Sequence, residues 1–342
     1  GVELIALCSY ALIALNRDSG RSAEAAMKYF VLGSLASGLL LYGMSLIYGV
    51  MNTLDLTVIS ERALMGDSIL MLLGLVFVVI GIAFKLGVVP FHMWLPDVYH
   101  GATAPIGMLI GSVPKIAGFA MAVRLLQDGL GDYQAQWSQM LAVLSALSLI
   151  IGNVVAIAQT NIKRMLGYST IGHMGFLLMG LLPGTASGYS AAMFYAITYA
   201  IMNAGAFGVI ILLSRHDVEA ENLEDFKGLS QRSPWFAFVM LMLMFSMAGV
   251  PVFVGFFAKW LVIQAAIEAG LVWLAILAVV TAVVGAFYYL RVVKLMYFDE
   301  PDNLPAIEAP AGFRAVLSVN GLAQLLLGIF SGSLIAVCVQ SF

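Results

Sequence analysis

Charge is what this sequence lacks most. Only 10% of its 342 residues are Asp, Glu, Lys or Arg, against 62% hydrophobic residues, whereas a soluble domain carries about 25% charged residues. That composition, with a mean hydropathy of +0.99, excludes a soluble globular domain. The formal net charge of −3 lacks the basic excess that draws nucleic acid, so no such partner is expected. Cysteine is almost missing: Cys8 and Cys338 both lie in apolar runs, with no CxxC and no Cys/His cluster, which argues against a disulfide framework, a zinc site or an iron–sulfur centre. No cofactor is expected on this chain. The start lacks both an initiator Met and a basic flank, since GVELIALCSYALIAL opens inside an apolar run. It fits no signal peptide and is expected to continue from helices that precede residue 1.

What is present is a series of apolar runs too long for barrel strands, whose residues would alternate between lipid and lumen. The expected fold is therefore an all-α membrane protein, a polytopic helical bundle. Ten spans are expected, at about 1–15, 25–50, 68–99, 103–127, 137–158, 165–182, 187–213, 233–270, 272–297 and 312–340. Two of them carry an internal proline flanked by glycine, at Gly87-Val-Val-Pro90 and Gly249-Val-Pro251. Proline removes a backbone donor and clashes with the preceding turn, so both helices should break near mid-membrane. Irregular backbone survives at that depth only inside protein or beside water.

The loops fix an orientation. If they alternate sides, one side receives Arg17, Arg21, Lys163, Arg164, Arg215, Lys227, Arg232, Lys294 and Arg314, and the other only Arg62 and Arg124. The basic side should be cytoplasmic. Lys28, Lys85, Lys115 and Lys259 instead fall inside spans, and a lysine near a bilayer centre costs about 2.5–3.5 kcal/mol on insertion scales. Four of them point to a polar path and to ion or proton movement. Lys28 lies nearest the cytoplasmic end, where a lysine can snorkel. His173 reads as a packing or capping residue, His100 and His216 as loop or interface residues, Asp97 as the end of a short helix after the first break, and the Asp217–Asp225 acidic run as a solvated face. Tyrosines within the spans read as packing or lipid-facing material.

The sequence also repeats. Ala25-Ala26-Met27-Lys28-Tyr29 recurs as Ala191-Ala192-Met193-Phe194-Tyr195, Gly87 to Phe91 recurs as Gly249 to Phe253, and Phe119 to Arg124 recurs as Phe287 to Arg291. The order is kept and the offsets run from 161 to 168 residues. Matched spans lie five helices apart, so the two copies should cross in opposite directions. Inverted repeats with broken helices are a transporter architecture whose ion site lies near the midplane.

FKLGVVPFHMWLPDVYHGATAP (84–105), Pro114-Lys115 and TNIKRMLGYSTIGHMG (160–175) resemble the antiporter-like membrane subunits of respiratory complex I, NADH–quinone oxidoreductase. The resemblance covers essentially the whole sequence. It departs at Thr103, where many members have proline, and the Pro-Asp-Val-Tyr-x-Gly-Ala wording favours one paralogue of the family. It implies fourteen helices, of which this sequence starts at the fifth. The implied domains are 1–127 as the remainder of the first inverted repeat, 128–297 as the second, and 298–342 as a loop with the last helix. By motif position, Glu3 and Lys85 match a paired glutamate and lysine, Lys115 a connecting lysine, Lys259 the lysine of the second half-channel, His92 a proton-relay histidine, and Lys28 a further lysine. The implied function is proton translocation in a bacterial inner membrane. Partners would be the other membrane subunits, with NAD, FMN, iron–sulfur clusters and quinone bound elsewhere in the complex. A subunit of a multisubunit cation/proton antiporter is the alternative. A purely structural scaffold is a third reading, which four buried lysines disfavour.

Overall fold

A computed structural model describes residues 1–63, 69–214, 218–300, 307 and 309–342. Arg215, His216 and Asp217 lie outside these residues. Among the described residues the chain is helical and forms no β-strand. The helices are α1 (Val2–Ile13), α2 (Gly20–Met51), α3 (Leu56–Ala63), α4 (Ile69–Leu86), α5 (Trp94–Gly101), α6 (Ala104–Val123), α7 (Gln134–Ile157), α8 (Ile162–Leu181), α9 (Ala186–Leu213), α10 (Leu229–Arg232), α11 (Pro234–Ala248), α12 (Val254–Glu268), α13 (Val272–Phe298), α14 (Ala311–Ile329) and α15 (Ser331–Gln340). Among the described residues seven segments are long and apolar enough to cross a membrane: α2, α4, α6 with a π-helical turn at Arg124–Gly129, α7, α9, α13 and α14. The other three expected spans fall on α1, on α8 and on the α11–α12 pair.

Polar caps start the helices where the sequence allows them. Ser19, Asn161 and Thr185 accept from the backbone N–H of Ser22, Arg164 and Gly188 at the heads of α2, α8 and α9, satisfying donors that a helix start leaves free. At the other end of α7, Arg291 of α13 donates to the carbonyls of Ile157 (2.8 Å) and Gln159 (2.6 Å). A cation there complements the helix dipole.

The helices pack around α8 and α9, the two most completely buried elements. α7 lies along α8, α2 along α4, and α6 along α9. The basic loops gather at one end. Arg21 pairs with Glu221 at 2.9 Å, Lys163 with Glu219 at 2.6 Å, and the Gly228 N–H donates to the Leu295 carbonyl. The α1–α2 turn, the head of α8, the α9–α10 connection and the end of α13 therefore meet, as the charge asymmetry requires.

Away from the helix breaks and the tyrosine-rich interior, three parts of the structure depart from the sequence reading. The α9–α10 acidic stretch is not a free solvated face. Glu219 accepts from the Ala104 N–H at the head of α6 (2.8 Å) and pairs with Lys163, whose side chain is only 3% exposed. Asp97 stands in the first turn of α5 rather than at its end. The last span divides into α14 and α15 at Phe330. Two residues earlier, Gly328 lies so close to the Val252 carbonyl that a Cβ there would clash with it.

Candidate functional site: buried lysines at two helix breaks

Both spans with a glycine-flanked internal proline break as expected, and the breaks share one geometry. α4 stops at Leu86, and Gly87 takes φ +78°; α11 stops at Ala248, and Gly249 takes φ +87°. Only glycine adopts this left-handed conformation without steric cost, and it commonly closes a helix. At the first break the Gly87 N–H reaches back to the Ala83 and Phe84 carbonyls and the Val88 N–H to Ala83. At the second the Gly249 N–H reaches Phe245 and Ser246, and the Val250 N–H reaches Phe245.

A helix end leaves four carbonyls without intrahelical partners, and in an apolar interior each needs a donor. These turns supply donors for the first two carbonyls of each set. The last two, from Lys85 and Leu86 in one break and Met247 and Ala248 in the other, are taken by lysines. Lys115, on α6 and fully buried, donates to Leu86 O at 2.8 Å and Lys85 O at 3.4 Å. Lys259, one turn into α12, donates to Met247 O and Ala248 O, both at 2.9 Å. The first lysine comes from a neighbouring helix and the second from the continuing half of its own. Neither forms an ion pair among the described residues. Instead each Nζ lies over an aromatic ring, Lys115 at 4.9 Å from the centroid of Trp94 and Lys259 at 5.1 Å from that of Phe176.

Lys85 differs. It is buried on the last turn of α4, and its ammonium lies 2.9 Å from Glu3 Oε1. Ser37 of α2 joins the pair, donating to Glu3 Oε2 at 2.7 Å while lying 3.3 Å from Lys85 Nζ. Glu3, Lys85, Ser37 and Lys115 thus cluster at the first break, and Lys115 touches the Lys85 backbone itself. His92 sits just beyond Pro90, half buried, with Nδ1 in no hydrogen bond among the described residues. Lys28 lies apart from this row. Its side chain is 44% exposed and pairs with Glu24 (2.7 Å) and with Asp97 (2.8 Å), which also binds Arg164 (2.7 Å). Nearby, at the basic-loop end, a polar cavity of about 760 Å³ is lined by residues including Ser22, His100, Lys163, Glu219 and Glu221.

Between the two breaks runs a polar chain that sequence reasoning missed. His173 is not simply packed or capping. Its Nδ1 lies 2.7 Å from the Tyr195 hydroxyl and its Nε2 3.0 Å from that of Tyr289, which also bonds Ser169. Tyr199 stacks obliquely on the His173 ring at 5.0 Å and donates to Thr170, whose hydroxyl reaches Tyr99. The available signal was the number of tyrosines in mid-span, because a buried phenol requires a hydrogen-bond partner. Among the described residues no group of three or more His, Cys, Asp or Glu side chains is placed to hold a metal ion. The arrangement instead suits proton exchange among amines, a carboxylate, an imidazole and phenols.

The family described as "NADH:quinone oxidoreductase/Mrp antiporter, TM" matches residues 1–285. NADH-quinone oxidoreductase subunit N of Thioalkalivibrio sulfidiphilus is 57% identical over 340 residues, covering 98% of this chain and 71% of that protein. Among solved structures, a chain of respiratory complex I from Thermus thermophilus with bound aureothin superposes with a TM-score of 0.85 at 34% identity, over 98% of this chain and 73% of that one. A chain of the Mrp complex from Dietzia superposes with a TM-score of 0.88 over 99% of this chain and 71% of that one; at 21% identity it shows a common fold alone. The chain belongs to the NADH:quinone oxidoreductase/Mrp antiporter membrane family, within its NADH-quinone oxidoreductase subunit N branch.

Proposed function

We propose that this chain moves protons across the bacterial inner membrane as a membrane subunit of NADH–quinone oxidoreductase, driven by quinone reduction that occurs elsewhere in the complex. NAD, FMN, iron–sulfur clusters and quinone belong to its partner subunits, and this chain performs no redox step. Glu3, Lys85, Lys115, Lys259 and His92 carry the protons, and Lys28 supplies a charged contact toward the basic-loop end. Residues 1–127 and 128–297 act as two inverted half-channels, with 298–342 closing the bundle. The alternative, a cation/proton antiporter subunit, rests on the shared fold alone.

The observation that carries the proposal is the contrast between Lys85 and the other two lysines at the helix breaks. Lys85 faces a carboxylate at 2.9 Å, whereas Lys115 and Lys259 face only carbonyls and rings. A carboxylate favours the charged amine and apolar burial disfavours it. Opening the Glu3–Lys85 pair therefore releases a proton toward Lys115, whose amine already touches the Lys85 backbone.

The test is Lys85→Arg in the assembled complex, with proton uptake into vesicles measured against NADH-driven quinone reduction. Arginine keeps the charge and cannot give up its proton, so the proton-to-electron ratio should fall. Glu3→Gln should lower it as well. A Lys85→Arg complex that assembles and pumps at the wild-type ratio would show that Lys85 is not a carrier.

A further inference from the structure

Lys115 and Lys259 meet the same three partners in the same roles, although they stand on different helices and enter their breaks from different directions. Two are the terminal carbonyls of a broken helix, and the third is the face of a ring. The left-handed glycine closes in beside each amine, since a Cβ added to Gly87 would lie 3.4 Å from Lys115 Nζ and one added to Gly249 3.4 Å from Lys259 Nζ.

The donor count separates the roles of these partners. A neutral amine has two N–H groups and an ammonium has three. Two carbonyls fully occupy the neutral form. The third proton brings a positive charge and a third N–H, and no carboxylate stands within ion-pair distance of either lysine among the described residues. The remaining partner is the ring, whose negative face attracts a cation and is nearly indifferent to a neutral amine.

Both rings are held in place independently of the lysines. Trp94 donates its indole N–H to Phe84 O at 3.2 Å and stacks on Tyr29 at 4.3 Å with an 8° interplanar angle. Its indole is thus fixed by the same helix end whose later carbonyls hold Lys115. Phe176 stacks on Tyr195 at 6.0 Å, and the Tyr195 hydroxyl bonds His173.

We infer that Trp94 and Phe176 are positioning residues that selectively stabilise the protonated forms of Lys115 and Lys259, so that each ring sets how readily its lysine keeps the transferred proton. The inference rests on the reading of these lysines as proton carriers. A desolvated cation–π contact biases the protonation equilibrium by about 30-fold, the equivalent of about 2 kcal/mol.

The experiment compares Trp94→Phe with Trp94→Leu and Phe176→Tyr with Phe176→Leu in the assembled complex, alongside Lys115→Arg and Lys259→Arg. Proton-coupled quinone reduction and protons moved per NADH are read together. The leucine variants should slow coupled turnover about 10- to 30-fold, and the aromatic replacements should restore it to within about threefold of wild type. Should a leucine variant fail to assemble, fluorinated phenylalanines at position 176 keep the ring's shape while draining its face of negative charge. Turnover that falls stepwise with fluorine number supports the inference, and turnover indifferent to fluorination overturns it. Equal rates for leucine and aromatic variants in assembled complexes also overturn it. If Lys115→Arg and Lys259→Arg block pumping in that same case, the carrier reading survives and the ring assignment alone falls; if the arginine variants pump normally, both fall together.

Discussion

Replacing Lys259 with Met preserves the length and apolar stem of the side chain and deletes its donors. Met247 O and Ala248 O, each 2.9 Å from the amine, are then left without a protein donor at the end of α11. A buried polar group without its hydrogen bond costs about 1–3 kcal/mol, so at the low end the pair weakens this helix end by about 2 kcal/mol. Since about 1.4 kcal/mol is a factor of ten, local opening at the second break should become about 30-fold more frequent. Hydrogen exchange followed by mass spectrometry on the assembled complex reads this directly. Peptides covering residues 245–253 should exchange about 30-fold faster, while those covering 83–89, at the first break, stay at the wild-type rate. Unchanged protection at 245–253 would mean that the lysine does not hold the helix end, and the assignment of Met247 O and Ala248 O to Lys259 would be wrong.

Glu219→Ala should be the costliest change at the basic-loop end. It strips the cap from the Ala104 N–H and removes the nearest partner of Lys163, leaving Glu221 at 3.5 Å and the Ala102 carbonyl. Unpairing a buried charge costs about 3–5 kcal/mol; partial exposure of Glu219 puts the expectation at the bottom of that range, read as lower yield of assembled complex and loss of exchange protection at the head of α6. Acid should loosen the same end. Burial works against the ionised Glu221 carboxyl, but the hydrogen bond from Arg21 and the charges of Lys163 and Arg21 outweigh it and hold the group below its ordinary value of 4.5. A depressed folded-state value stabilises the fold above the ordinary carboxyl range and ceases to do so as pH falls through the folded value. Limited proteolysis around 218–226 should therefore be slow at neutral pH and rise below about pH 4; a rate independent of pH would refute the pairing.

The lysines of the breaks were legible because charge inside an apolar run is costly wherever the helix turns. The breaks were legible because Pro90, Pro251 and their glycines forbid continuous helix. Periodicity could not say which groups meet across a break, because a broken helix loses the 3.6-residue phase that relates residues on its two sides. Nor does periodicity relate separate helices, which is why Lys28 on α2 and Asp97 on α5 were read separately although the fold brings them to 2.8 Å. It is also why Trp94, seven residues beyond Gly87, gave no sign of facing Lys115. His173 reads as packing or capping because one histidine in a span carries no pattern; its partners are Tyr195 and Tyr289, 22 and 116 residues away. The break at Phe330 does have a local marker, the Gly328, Ser331, Gly332 and Ser333 cluster, which a single apolar span over 312–340 passes over.

A helix terminus that relies on a movable side chain has a further consequence. While Lys115 stays over Lys85 O and Leu86 O, those carbonyls are sealed and the gap between α4 and α5 needs no solvent. Were the lysine to leave with its proton, as the proposed carrier role requires, both oxygens would need another donor, and at that depth water is the small molecule able to supply one. On the proposed carrier role, the same side chain would also serve as a stopper. Its departure would then wet the path that a proton needs, and its return would seal the two carbonyls again.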